Sequence, residues 1–174
     1  MVNFKLSLEK VKAFVFDVDG VLSPVTIPMS PTGEPLRMAN IQDGYVLQLA
    51  VKKGYPVAII TGGVGEAIRN RFSVLGIKDI FMGASYKTEA LQHFMLAHDL
   101  KPEEVLYMGD DIPDYEVMRT VGVPCCPADA VPEIQSVSCY VSPYRGGYGC
   151  CRDVMEQVMK AQGQWMDNAE AFGW

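Results

Sequence analysis

The segment KAFVFDVDGV, residues 12–21, sets a pattern that much of the chain repeats. Its first half is a run of β-forming apolar residues, and that run ends abruptly at two aspartates two positions apart. Five further short apolar runs follow, several ending in glycine, threonine or aspartate. Near-continuous apolar runs of this length are typical of strands buried on both faces of a parallel sheet. The predicted strands are residues 12–16, 55–60, 79–82, 104–108, 121–125 and 139–141.

Amphipathic stretches separate most of these runs and predict helices at residues 43–53, 66–75, 87–100, 111–121 and 152–162. A repeated strand–helix order indicates a single α/β domain over residues 1–174, built as a three-layer, doubly wound parallel sheet of Rossmann-like type. One interruption, at about residues 23–40, predicts a projecting β-hairpin with its turn at SPTG, residues 30–33. We expect a loose tail over residues 163–174, with Trp174 disordered or docked on a neighbour.

The composition restricts the class of protein. The chain has 174 residues, 49% of them hydrophobic and 21% charged, which is typical of a globular domain and excludes disorder along the whole chain. A net charge of −6 argues against nucleic acid as a partner, because phosphate neutralisation dominates such binding. No apolar run approaches the roughly 20 residues of a membrane span, and residues 1–12 lack a signal-peptide core. We therefore expect neither nucleic acid nor membrane as a partner.

The cysteines indicate a reducing compartment. There are five, an odd number, and four of them form two adjacent pairs, Cys125-Cys126 and Cys150-Cys151. This spacing fits neither a disulfide framework nor a zinc site. Free thiols and a cytoplasmic location are the expectation.

Polar side chains cluster where the predicted strands end. In an open parallel sheet, ligands bind beyond the carboxyl ends of the strands, and four separate segments deliver acid, hydroxyl and ammonium groups to that edge. Random placement of polar residues would rarely achieve this. The residues concerned are Asp17, Asp19, Thr61, Lys87, Asp110, Asp111 and Asp114.

The chemistry of this set points to phosphoryl transfer. Asp17 and Asp19 would resist ionising side by side unless a cation lay between them, and Asp110 can reach the same cation. An oxygen-only set with few protein ligands suits Mg²⁺. A carboxylate held there can attack phosphorus, and its neighbour can protonate the leaving oxygen. Thr61 and Lys87 would hold the non-bridging phosphate oxygens.

Four motifs resemble, in order, those of the haloacid dehalogenase superfamily: DVDGV at residues 17–21, IITGG at 59–63, Lys87, and GDDIPD at 109–114. The resemblance implies a phosphatase that works through an aspartyl-phosphate. It implies Asp17 as nucleophile, Asp19 as general acid and base, and phosphate binding by Thr61, Gly62 and Lys87. It also implies Mg²⁺ held by Asp17, the backbone carbonyl of Asp19 and Asp110, with Asp111 and Asp114 in support.

Within the superfamily, the chain is similar to the capless 3-deoxy-D-manno-octulosonate 8-phosphate phosphatase group, because the segments between its motifs leave no room for a cap domain. The similarity rests on the hairpin, on Asp43-Gly44 and on RGGYGCCRD at residues 145–153. It implies a small phosphorylated keto-deoxy sugar acid of eight or nine carbons as substrate. It also implies a homotetramer in which one subunit's hairpin helps cover the next active site.

The sequence departs from this group at Gly63, where arginine or glutamate is usual and contacts the sugar acid. Arg69, Arg71 and Arg145 are then the candidates for holding a substrate carboxylate. Alternatives stay open at this point. The same chemistry could act on another sugar or polyol phosphate, or the domain could be a non-catalytic interaction module. A phosphomutase would normally need a cap, and Arg145 could equally form a surface salt bridge.

Overall fold

The sheet is fully parallel, as predicted. The computed structural model describes residues 3–173 and contains one six-stranded sheet of order β3-β2-β1-β4-β5-β6. The observed strands lie within two residues of the predicted bounds. They are β1 (Ala13–Phe16), β2 (Val57–Ile60), β3 (Asp79–Phe81), β4 (Val105–Met108), β5 (Val123–Cys126) and β6 (Tyr140–Val141).

Helices flank the sheet, and each predicted helix has a counterpart. The helices are α1 (Phe4–Ser7), α2 (Ile41–Lys52), α3 (Glu66–Ser73), α4 (Lys87–Ala97), α5 (Tyr115–Met118), α6 (Pro132–Val137) and α7 (Cys150–Ala161). Short 3-10 turns occupy Leu8–Lys10, Pro102–Glu104, Ile112–Asp114 and Ala169–Phe172. Sequence reasoning missed the two short helices α1 and α6.

Local capping explains two differences in helix bounds. Helix α2 begins at Ile41, before the predicted residue 43, because the Asn40 side chain accepts hydrogen bonds from the backbone N–H groups of Gln42 and Asp43. The helix predicted over residues 111–121 is a single 3-10 turn followed by the four-residue α5. There the Asp111 carboxylate accepts from the N–H of Ile112 and starts the turn.

Alternate residues of β1 face two separate cores. Phe14 and Phe16 belong to the core that includes α2, α3 and α7, whereas Ala13 and Val15 belong to the core that includes α4, α5 and α6. All four residues are fully buried. Burial on both faces explains why the β1 sequence is a continuous apolar run.

The sheet order places a switch point between β1 and β4. The chain runs from β1 outward to β2 and β3, then returns to add β4 on the other side of β1. Connections leave the carboxyl ends of β1 and β4 in opposite directions, so a crevice opens between them. The residues that follow these strands, Asp17 and Asp110, therefore lie at the crevice.

Residues 23–40 form an irregular arm. A single antiparallel bridge joins Met29 to Pro35, and the N–H of Leu36 donates to the carbonyl of Pro28. The expected turn closes at Ser30, whose carbonyl accepts from the N–H of Gly33. The arm has hairpin geometry at its tip without regular strands.

Two residues of the tail that was expected to be loose, Trp165 and Ala171, pack against the domain. Trp165 packs edge-on against Tyr45 at 6.3 Å between ring centroids, and Ala171 is buried and accepts a hydrogen bond from the Tyr45 hydroxyl. The guanidinium of Arg152 lies over the Trp165 ring at 4.8 Å. These contacts bury aromatic surface that the sequence alone left without a partner. Trp174 lies outside the described residues.

Candidate active site

A cleft of about 360 Å³ lies at the carboxyl ends of β1, β2 and β4. It brings together the predicted nucleophile, phosphate-binding residues and metal ligands, although they come from four separate segments. The predicted residues that line it are Asp17, Asp19, Thr61, Gly62, Lys87, Asp110, Asp111 and Asp114. Their proximity follows from the switch point, and their chemical roles remain predictions.

Lys87 is the centre of a buried charge network. Its ammonium donates to Asp17 Oδ2 at 2.6 Å and to Asp114 Oδ1 at 2.7 Å. The hydroxyl of Tyr107 also donates to Asp114 Oδ1, at 2.6 Å, and the N–H of Val18 donates to Asp17 Oδ1 at 2.6 Å. Lys87 is 5% exposed and Asp114 is fully buried, so water does little to screen their attraction.

The acids of the cleft resist ionisation. Burial raises the pKa of Asp17 to about 6; the charge of Asp114 adds to that effect and Lys87 opposes it. Burial, followed by the charges of Asp17 and Asp114, raises the pKa of Asp110 to about 8. Burial raises the pKa of the Tyr107 hydroxyl well above its usual value. Excess negative charge in a small volume is what a bound cation relieves.

Three carboxylates have the spacing of a metal site. One oxygen each from Asp17, Asp110 and Asp114 lies within 4.8 Å of the others. An oxygen-only set of this kind fits Mg²⁺, which keeps part of its water shell. The set includes Asp114, for which only a supporting role was predicted.

Gly20 is required beside this set. Its φ is +86°, and a Cβ built there would lie 2.0 Å from Asp110 Oδ2. Only glycine combines this backbone conformation with so close an approach. The glycine of the DVDGV motif thus makes room for the Asp110 carboxylate.

The side chain of Asp19 is not part of this set of three carboxylates, although it lines the same cleft. It forms a two-pronged ion pair with Arg37 of the arm, from Nε to Oδ1 and from Nη2 to Oδ2, each at 2.7 Å. Sequence reasoning missed Arg37, because the arm carries no motif and the hairpin pattern gives no sign of which residue points at the cleft.

The loop after β2 supplies hydroxyl and backbone groups. Thr61 is buried, and its Oγ1 accepts from the N–H of Gly63 at 3.0 Å. Asp111 is exposed at the rim and is occupied in capping the turn that begins at Ile112.

The arginines predicted as candidates for holding a substrate carboxylate lie outside the lining of the cleft, and their role stays a prediction. Arg69 is exposed on α3, and Arg71 lines a neighbouring cavity of about 320 Å³ between the arm, α2 and α3. The side chain of Arg145 is 72% exposed and forms an ion pair with Asp129 at 3.7 Å. This is the surface salt bridge that was the alternative to a substrate contact. None of the three lines the cleft as the structure has it.

Curated relatives cover almost the whole chain. The chain is 37% identical over 162 residues to 3-deoxy-D-manno-octulosonate 8-phosphate phosphatase KdsC of Escherichia coli K12, covering 93% of this chain and 86% of that protein. No protein-family profile matches this sequence.

Solved structures share the fold. The 3-deoxy-D-manno-octulosonate 8-phosphate phosphatase of Yersinia pestis superposes with a TM-score of 0.89 at 34% identity, covering 92% of this chain and 87% of that one. The enzyme of the same name from Moraxella catarrhalis, solved with magnesium, phosphate and KDO, gives 0.87 at 31% identity and covers 92% of both chains.

Proposed function

Since the chain belongs to the 3-deoxy-D-manno-octulosonate 8-phosphate phosphatase family of the haloacid dehalogenase superfamily, whose named members are phosphoric monoester hydrolases, we propose that it is a Mg²⁺-dependent phosphatase of a small sugar-acid phosphate. The observation that carries the proposal is the buried cluster of Asp17, Lys87, Asp110 and Asp114 in one cleft. A cluster with this excess of acid is costly unless a bound cation offsets its negative charge.

Asp17 is the nucleophile in this proposal. Lys87 and the N–H of Val18 hold its two oxygens, so the carboxylate has a fixed direction. As an Asp17 oxygen bonds to phosphorus, the bond from phosphorus to the sugar oxygen breaks, giving an aspartyl-phosphate. Asp19 donates a proton to that leaving oxygen and later takes one from the water that hydrolyses the intermediate.

Asp17, Asp110 and Asp114 are the carboxylates that would hold the metal, with the Asp19 carbonyl as a further predicted ligand. When bound, Mg²⁺ neutralises charge on the phosphate oxygens. Thr61 and the backbone at Gly62 bind those oxygens on the other side, and Lys87 supplies a fixed positive charge.

The substrate we propose is 3-deoxy-D-manno-octulosonate 8-phosphate or a close keto-deoxy acid phosphate. The names of the relatives support this choice. A related sugar or polyol phosphate is the second candidate substrate, because residue 63 is glycine and lacks the usual arginine or glutamate that contacts the sugar acid.

We further propose a homotetramer in the cytoplasm. The arm exposes Val25, Met29, Leu36 and Met38, each more than half accessible, which suits a subunit contact. All five cysteines are free, which suits a reducing compartment. Among residues 3–173, no helix has both the length and the apolar character that crossing a bilayer requires. Light scattering tests the assembly, and a monomer at working concentration would contradict it.

The test of function is phosphate release from a panel of sugar-acid, sugar and polyol phosphates, with Mg²⁺ or with a chelator. We expect Mg²⁺-dependent turnover that prefers a keto-deoxy acid and is lost in Asp17→Asn. Asp99→Asn is the matched control, because Asp99 is exposed with a φ of +51° that asparagine adopts readily. Folded wild-type protein without turnover would contradict the proposal and favour the interaction module.

A further inference from the structure

Arg37 is the one residue of the arm that forms an ion pair with a predicted catalytic group within residues 3–173. Its side chain is 17% exposed, although its partner Asp19 is 42% exposed. Two parallel hydrogen bonds fix both the position and the plane of the Asp19 carboxyl. Each carboxyl oxygen accepts one bond from Arg37 and keeps a second lone pair for a proton.

The arm is tied to the loop that follows β1 and carries the predicted catalytic acids. The N–H of Met38 donates to the Ser23 hydroxyl at 3.1 Å, and Ser23 is buried. The carbonyl of Ser23 in turn accepts from the N–H of Gly20 at 2.9 Å. Ser23 thus connects Met38, which follows Arg37, to Gly20, which follows Asp19, and this link holds Arg37 beside Asp19.

Gly63 provides the space that Arg37 occupies. A Cβ built at Gly63 would lie 2.6 Å from Arg37 Nη2 and 3.2 Å from Asp19 Oδ2. Alanine at this position would force the guanidinium to shift, and a longer side chain would compete for its place. The absence of a side chain at residue 63 therefore makes room for the arginine at residue 37.

We propose that Arg37 is a positioning residue that aims the Asp19 carboxyl at the leaving oxygen, and that Gly63 is needed to admit it. This inference rests on the proposed function. In the first half-reaction, the Asp19 proton moves to the bridging oxygen as the phosphorus–oxygen bond breaks. The leaving group departs as an alcohol, and phosphorus becomes bonded to Asp17. Arg37 exchanges no proton in this step.

The proposal predicts a dependence on the leaving group. A sugar alkoxide leaves poorly without a proton, whereas p-nitrophenolate leaves well without one, so only the alkyl phosphate needs a well-aimed acid. We expect Arg37→Gln to lower kcat/KM about 10- to 100-fold for alkyl phosphates and less than about threefold for p-nitrophenyl phosphate. We use kcat/KM because it reports the steps up to leaving-group departure.

The experiment compares wild type, Arg37→Gln, Arg37→Lys, Gly63→Ala and the double variant. The substrates are 3-deoxy-D-manno-octulosonate 8-phosphate, ribose 5-phosphate, which lacks a carboxylate, and p-nitrophenyl phosphate. Gly63→Ala should reproduce the profile of Arg37→Gln, and the double variant should be no worse than either. Arg37→Lys should recover part of the loss. Arg119→Gln and Gly173→Ala are the matched controls: Arg119 is exposed, and a Cβ at Gly173 meets nothing within 4 Å.

The outcomes separate the possible roles. Equal losses on all three substrates, or an additive double variant, would overturn the positioning role. A loss confined to the carboxylate-bearing substrate and seen in KM would also overturn it, and would make Arg37 a substrate-binding group. Wild-type protein without phosphatase activity would overturn the proposed function as well, whereas an active wild type with an unchanged Arg37→Gln would overturn this inference alone.

Discussion

Replacing Asp110 by asparagine should stabilise the metal-free protein and remove its response to Mg²⁺. The Asp110 carboxylate is 5% exposed and lies close to the carboxylates of Asp17 and Asp114. Within residues 3–173 it has neither a hydrogen-bond donor nor an ion-pair partner of its own. Asparagine therefore removes a charge and no contact.

The magnitude follows from proton linkage. Since the pKa of Asp110 is raised from 3.8 to about 8 in the folded protein, the folded state holds more protons than the unfolded state across that window. The free energy of unfolding of the metal-free wild type therefore falls as pH rises from about 4 to about 8. At pH 7 the difference from 3.8 is about three units, an upper limit of about 4 kcal/mol at 1.36 kcal/mol per unit. We expect a gain of about 1–3 kcal/mol, because the new amide is also partly desolvated.

The assay is urea unfolding of wild type, Asp110→Asn and the Asp99→Asn control, in chelator at mildly acidic and neutral pH and again with Mg²⁺. The variant should be more stable than wild type in chelator at neutral pH, similar at acidic pH, and indifferent to Mg²⁺. Mg²⁺ should raise the free energy of unfolding of wild type by about 2.7 kcal/mol when its concentration is a hundredfold above Kd. A variant less stable than wild type in neutral chelator, or one that Mg²⁺ still stabilises fully, would refute the reasoning.

Three further outcomes follow from buried groups. Lys87→Met should lower the free energy of unfolding at neutral pH by about 3–5 kcal/mol, because two buried carboxylates lose their cation; equal loss at acidic pH would contradict this. Asp43 is 2% exposed with a pKa raised to about 6 by burial, so its ionisation costs wild type up to about 3 kcal/mol as pH rises from about 4 to 6, in addition to the loss from Asp110; Asp43→Asn should lack this part of the loss, which a stability–pH profile checks. Gly146→Ala should cost about 1–3 kcal/mol and weaken Mg²⁺ binding, because its Cβ would lie 1.9 Å from the carbonyl oxygen of Gly20; an unchanged Tm would count against it.

The fold was predictable because its signal is local and repeated. The run AFVF at residues 13–16 is buried on both faces, so no polar residue interrupts it, and β2, β4 and β5 follow the same rule. Strand ends and helix starts are therefore visible in the sequence. The helices α1 and α6 were missed because four to six residues are too few for a periodic pattern to emerge.

The members of the candidate site were predictable for a related reason. Parallel strands end at one edge, so residues that follow β1, β2 and β4 must meet there whatever the details of packing. Residue type then suggested the chemistry of Asp17, Lys87 and Asp110. Tyr107 could not be found this way, because an aromatic residue inside a strand has the pattern of core, and its hydroxyl bond to Asp114 is not encoded in that pattern.

The sequence by itself determined that the sheet is parallel and doubly wound, which edge of it carries the acids, and which residues those acids are. Each of these depends on short-range patterns. Only the tertiary structure decided how the acids are divided between partners. Asp17 and Asp114 share Lys87, and Asp19 pairs with Arg37, 18 residues away in the chain. The arginines of α3 and of the loop before α7 lie outside the lining of the cleft. Such pairings depend on how an irregular arm folds back over the sheet, and no local periodicity encodes the path of that arm.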